Sequence, residues 1–180
     1  MRRIETKQLM IRDFDAMDWD PINTILSDPF VTEHMHYATW AEAQRREWFD
    51  WCLTNNHEPQ PDVYNWAIVD KTTMYTIGWF GIGAASHPTI EGERSFGYFL
   101  ARDMWGQGYM TEALKAILEY EFTTLESIYI SATCRTVNPA SARVMEKAGM
   151  HHIKTDIDDD GNGNDVECHF YGIHNPYTKQ

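Results

Sequence analysis

The chain has only three cysteines, Cys52, Cys134 and Cys168, too few and too scattered for a disulfide framework. No Cys-x-x-Cys pair offers a zinc site. Dispersed thiols suit a reducing compartment, so the expected location is cytoplasmic. Long apolar runs are missing as well. Nothing reaches membrane-spanning length, and Met1-Arg2-Arg3-Ile4-Glu5-Thr6 has no hydrophobic signal core. Basic residues are scarce: 15 Lys and Arg stand against 27 Asp and Glu. The resulting charge of −12 disfavours bulk attraction to nucleic acid. Asp156, Asp158, Asp159, Asp160, Asp165 and Glu167 carry much of that charge with no Lys or Arg between them. This run reads either as simple solubility or as a surface that attracts cations. Repeats, low-complexity tracts and linkers are also absent. Hydrophobic residues make up 43% and aromatics 13% of the 180 residues, which suits one globular domain over 1–180.

What is present is a glycine turn. Trp105-Gly106-Gln107-Gly108-Tyr109-Met110-Thr111-Glu112-Ala113 follows a strand-like run, Ser95-Phe96-Gly97-Tyr98-Phe99-Leu100. It leads into a helical pattern with Met110, Ala113, Leu114, Ile117, Leu118 and Phe122 at helical spacing. Two glycines at such a junction bare backbone N–H groups, and the helix N-terminus adds partial positive charge. The pair suits a phosphate or pyrophosphate; the plainer reading is an ordinary tight turn. No Lys follows at P-loop spacing, and Thr111 stands where a dinucleotide fold needs its third glycine.

A second segment lies about thirty residues further on. Asn138-Pro139-Ala140-Ser141-Ala142-Arg143-Val144-Met145-Glu146-Lys147-Ala148-Gly149-Met150 reads as a short helix. Asn138 suits its N-cap, Pro139 its first position and Gly149 its stop. Val144, Met145 and Ala148 supply an apolar stripe.

Together these segments resemble the GNAT acetyltransferase superfamily, most closely its branch of ribosomal-protein N-terminal acetyltransferases (RimJ/RimL-like). Leu9-Met10-Ile11-Arg12-Asp13, Trp66-Ala67-Ile68-Val69, Ile77-Gly78-Trp79-Phe80-Gly81-Ile82 and Phe96-Gly97-Tyr98-Phe99-Leu100 resemble the branch's first four strands. The resemblance implies an α+β fold: a mixed, mostly antiparallel twisted sheet of about seven strands, with about four helices and a splay between strands four and five. It implies an N-acetyltransferase that moves the acetyl group of acetyl-CoA directly to a primary amine. The acceptor is a protein N-terminus or a small amine, and a homodimer is suggested. The alternative is a non-catalytic acyl-CoA-binding or calcium-responsive module on the same fold.

The resemblance also implies site residues. Backbone amides of Gln107, Gly108, Tyr109, Met110 and Thr111 would hold the pyrophosphate. The strand edge at Phe99, Leu100 and Ala101 would bond the pantetheine, and Asn138 would anchor that arm. Met110 stands where the family has a smaller residue, and its side chain could narrow the turn. Ser141 matches the position that protonates the leaving thiolate; local helix bonding is its other reading. Ser95 stands where the branch often carries Glu. Glu93, two residues earlier, is then the candidate general base, with a solvated strand-end charge as the alternative.

Elsewhere the pattern predicts a strand near 8–14, a helix over 18–28 and a helix opened by a Thr39–Glu42 capping box and running to about Asn55. Strands are predicted near 64–70, 75–86, 93–101, 128–133, 151–157 and 166–174. Phe30, His34, His36, Tyr37, Trp40, Trp48, Phe49 and Trp51 belong to the core or to an acceptor cleft. His34 and His36 lack a third ligand, so no metal site is expected. Asp156 to Glu167 satisfies the EF-hand calcium pattern, but strand-like flanks favour an acidic hairpin tip.

Overall fold

The computed structural model describes residues 2–35, 38, 40–160 and 163–178. Its strands are β1 (Arg3–Glu5), β2 (Leu9–Asp13), β3 (Val63–Asp70), β4 (Thr76–Ala84), β5 (Arg94–Leu100), β6 (Tyr129–Arg135), β7 (His151–Asp159) and β8 (Asp165–His174). Its helices are α1 (Trp19–Ser27), α2 (Pro29–Thr32), α3 (Glu42–Asn56), α4 (Tyr109–Thr123) and α5 (Pro139–Lys147). The strands bond in the order β1-β2-β3-β4-β5-β6-β8-β7. The sheet is mixed, as expected, with one more strand and one more helix than the sequence pattern predicted. The parallel β5–β6 ladder holds two pairs, Arg94 with Ile130 and Ser95 with Ser131. Two compact units are distinguished: Met1–Ile82 with Gly97–Tyr109, and Gly83–Phe96 with Met110–Gln180.

In the first unit β3 and β4 are apolar without alternation, because nearly every residue of each is buried. Their core includes Met10, Phe14, Ile22, Phe49, Cys52, Val69, Trp79 and Phe99, with Trp48 packed against it. Trp48, Trp79 and Phe99 meet at ring separations of 5.3, 6.0 and 5.4 Å. Such burial contributes roughly 1.5–3 kcal/mol per large side chain. The buried Asn65 side chain is paired: its Oδ1 accepts from Trp79 Nε1 at 3.1 Å and from the Cys52 thiol at 3.3 Å. Strand β1 was not expected; it pairs Ile4 with Ile11 along β2. Helix α3 begins later than predicted. Gln44 Oε1 accepts from the Ala41 N–H at 2.9 Å and caps it, while Thr39 lies outside the described residues.

In the second unit α4 buries the predicted Met110, Ala113, Leu114, Ile117, Leu118 and Phe122. It also buries Glu121, which pairs with Arg94 at 2.9 Å and accepts from Ser127 Oγ at 2.6 Å. Helix α5 is capped as expected, with Asn138 Oδ1 accepting from the Ser141 N–H at 3.1 Å and Gly149 at φ +96 beyond its end. Its buried residues are Ala142 and Met145, whereas Val144 and Ala148 are half-buried, so the stripe lies slightly rotated from the prediction. The EF-hand pattern falls on the β7–β8 hairpin, with strands in place of flanking helices. Gly161 and Asn162 lie outside the described residues.

Candidate active site

Strand β5 ends at Leu100, a 3-10 turn follows over Arg102–Met104, and Trp105 to Gly108 lead into α4. Gly106 and Gly108 have φ of +72 and +86, the left-handed region that glycine enters without strain. A Cβ at either would meet nothing within 4 Å, so conformation rather than space selects glycine. Gly108, just before the helix, has no side chain with which to cap the N–H groups of the first turn. The 15-residue helix adds its partial positive charge there. Met110 is buried, so its side chain points inward and leaves the turn open. Gln107 Nε2 donates to Asp103 O at 2.8 Å and braces the loop.

The three residues expected to form the strand edge are not equivalent. The Ala101 N–H donates to Ile77 O at 2.8 Å, and the Ala101 carbonyl accepts from the Met104 N–H at 3.0 Å. The Phe99 carbonyl faces Gly78 so closely that a Cβ there would collide with it. Alternation along the strand therefore turns the backbone groups of Phe99 and Ala101 toward β4 and those of Leu100 away from it. The Leu100 carbonyl accepts from the Trp105 indole N–H at 2.8 Å. Of the three residues expected at this edge, Leu100 is the one whose N–H faces away from β4.

Around α5, the Ser141 hydroxyl hydrogen-bonds the Cys134 thiol on β6. Burial pushes that thiol up to about 11, which keeps it protonated at neutral pH. Glu93 lies just before β5 and is buried. Its Oε2 accepts from Thr89 Oγ1 at 2.8 Å and from the Thr89 and Ile90 N–H groups, and Ser131 also donates to it. Burial pushes its carboxyl up, but these hydrogen bonds prevail and hold it below its ordinary value. A carboxylate so held is a poorer base. The carboxylate expected as general base thus anchors the hairpin loop at Thr89 and Ile90.

One further feature was not visible in the sequence. A pocket of about 500 Å³ is lined by Thr24, Ile25, Asp28, Val31, Ala101, Arg102 and Asp103. Asp28 Oδ1 accepts from the Phe30 N–H at 2.9 Å, and the Arg102 guanidinium lies 3.7 Å over the Phe30 ring. Of the aromatic run, Phe49 is core, Trp48 packs on it, and Phe30 and Trp51 are exposed. His36 and Tyr37 lie outside the described residues.

The acetyltransferase (GNAT) domain family matches residues 8–151. The chain belongs to the GNAT acetyltransferases. It is 38% identical over 156 residues to the uncharacterized protein YkkB of Bacillus subtilis, covering 85% of this chain and 87% of that one. It is 30% identical over 149 residues to the uncharacterized N-acetyltransferase YnaD of the same organism, covering 82% and 81%. The fold matches ribosomal-protein-S5-alanine acetyltransferase from Vibrio fischeri with a TM-score of 0.77, 18% identity and full coverage of both chains. This GNAT protein is an acetyl-CoA-dependent N-acetyltransferase. No described helix is long and apolar enough to cross a membrane.

Proposed function

We propose that this acetyltransferase passes the acetyl group of acetyl-CoA to a small primary amine bearing positive charge. The pocket that places Asp28 and Asp103 beside the end of β5 carries this reading. The two carboxylates outnumber the one guanidinium of Arg102, which lies over the Phe30 ring, so the lining favours a cation, and Ile25 and Val31 supply an apolar wall for a carbon chain.

The glycine turn fits the cosubstrate. Backbone N–H groups of Gln107, Gly108, Tyr109, Met110 and Thr111 would take the pyrophosphate at the N-terminus of α4. The Leu100 N–H would take the pantetheine as an added strand does. Asn138, whose Oδ1 is engaged at α5, would donate to the same arm through its amide nitrogen. The thioester supplies an activated acetyl carbon. The neutral amine attacks that carbon, the new C–N bond forms as the C–S bond breaks, and the thiolate takes a proton from the Ser141 hydroxyl. The proton given up by the attacking nitrogen passes, directly or through water, to the Ser141 oxygen and restores its hydroxyl, so amide, free CoA and unchanged Ser141 result. Ser141 is a candidate because α5 fixes its backbone through Asn138.

Amine-dependent release of free CoA, measured with a panel of diamines, amino acids, N-terminal peptides and neutral amines, tests this reading. Preference for diamines is expected, with Asp28→Asn or Asp103→Asn raising KM for the amine and leaving KM for acetyl-CoA unchanged. Equal rates on neutral amines would remove the cationic acceptor. Tight acetyl-CoA binding with no turnover on any amine would favour the non-catalytic module.

A further inference from the structure

Strand β7 ends the strand order, and its outer edge meets no strand among the described residues. The Asp160 N–H donates to Asn164 O at 3.1 Å, which shows that beyond the bulge the even-numbered residues Lys154, Asp156 and Asp158 turn their backbone groups toward β8. By alternation Thr155, Ile157 and Asp159 turn theirs outward. The Ile157 and Asp159 N–H groups donate to the carboxylates of Asp156 and Asp158, at 2.9 and 3.0 Å. The side chains of His151 to Ile157 are exposed. An edge of this length with outward N–H and C=O groups is a template for another strand.

The order of its side chains says which strand. His151-His152-Ile153-Lys154-Thr155-Asp156-Ile157-Asp158-Asp159 is self-complementary about Thr155. Antiparallel pairing with a second copy about that residue sets His151 against Asp159, His152 against Asp158, Ile153 against Ile157 and Lys154 against Asp156. Neighbouring registers fail. An axis at Lys154 or Asp156 opposes each to itself, and an axis at Ile157 opposes Asp156 to Asp158. Thr155 is also an outward residue, so it forms a mutual pair of backbone hydrogen bonds on the axis.

We propose that β7 docks a second copy of this chain, edge to edge and antiparallel, on a twofold axis at Thr155. The Lys154 ammonium, now 2.7 Å from Asp156 of its own strand, exchanges that partner for Asp156 of the other copy. Ile153 and Ile157, 58% and 57% exposed, cover each other across the axis. The bulge in the β8 ladder between His152 and Lys154 confines the regular pairing to the stretch around Thr155. The contact is one strand wide, so association depends on concentration.

Sedimentation velocity of the full chain across a wide range of concentration tests this. The wild type is expected to pass from monomer to dimer. Lys154→Asp opposes only carboxylates at the central pair, and Asp156→Lys opposes only ammonium groups, so each alone is expected to remain monomeric. Mixed in equal amounts, the two variants are expected to restore the dimer, because each supplies the charge that the other lacks. Circular dichroism and acetyl-CoA affinity are expected to stay at wild-type values in both. A wild type that stays monomeric, a dimer that survives in both single variants, or a mixture that fails to reassociate would each overturn the proposal.

Discussion

Glu121 is fully buried at the inner face of α4, with Arg94 at 2.9 Å and the Ser127 hydroxyl at 2.6 Å. Arg94→Met removes the only cation of this pair and leaves a buried carboxylate facing one hydroxyl. Breaking a buried ion pair from one side costs about 3–5 kcal/mol at neutral pH. The pH dependence is distinctive. Burial already raises the Glu121 carboxyl above its ordinary value, and the Arg94 charge opposes that rise. Without Arg94 the folded-state value climbs further. A raised acid contributes stability that is present below its unfolded value and lost as pH rises through its folded value. The deficit of the variant is therefore expected to be largest at neutral pH and above, and to shrink on acidification toward the ordinary carboxyl range. Urea denaturation of variant and wild type between mildly acidic and neutral pH reads the difference directly. Adding Glu121→Leu to Arg94→Met is expected to recover stability, since no buried charge remains. A deficit that does not change with pH, or a double variant no better than the single one, would show that the loss is one of packing rather than charge.

Gly108→Ala is expected to destabilise the fold by roughly 1–2 kcal/mol through its left-handed φ alone, and Gly108→Glu to weaken acetyl-CoA binding further by setting a carboxylate at the anion site, both readable by calorimetry. Ser141→Ala is expected to lower kcat by about 10²-fold or more with the Kd for acetyl-CoA unchanged; an unchanged kcat removes its role as proton donor. Asn138→Ala is expected to cost about 1 kcal/mol in thermal stability through the lost cap, and weaker acetyl-CoA binding would add its second role. Glu93→Gln is expected to leave the pH profile of kcat in place, because the carboxylate is tied to Thr89 and Ile90; a lost basic limb would return it to catalysis.

Features whose cause is local were legible in the sequence. The cap at Asn138, the glycines at the mouth of α4 and the apolar face of that helix follow from spacing and backbone freedom. Strand β1 was missed because Arg3-Ile4-Glu5 is polar and its pairing comes from β2. The start of α3 was misread because a side chain three residues inside, Gln44, caps it. The bonds of Glu93 to the Thr89 and Ile90 amides were not legible, because those groups carry no mark in the order of residue types. The same holds for the strand edge. Which of Phe99, Leu100 and Ala101 faces outward depends on parity against β4, and the occupation of the Leu100 carbonyl depends on where the Trp105 indole reaches. The acidic pocket joins Asp28 to Asp103 across seventy-odd residues, a distance no motif spans.

The three buried thiols give the molecule its own reporters of breathing. Cys52 lies in the first compact unit, and Cys134 and Cys168 lie in the second. Burial pushes the pKa of all three above the ordinary thiol value, that of Cys134 to about 11. An alkylating reagent therefore reacts only when a local opening admits it and restores an ordinary thiol. The lag before each cysteine is modified, resolved by peptide mass, then converts into the free energy of the opening that exposes it. Adding acetyl-CoA during such an experiment would show which openings the cosubstrate suppresses.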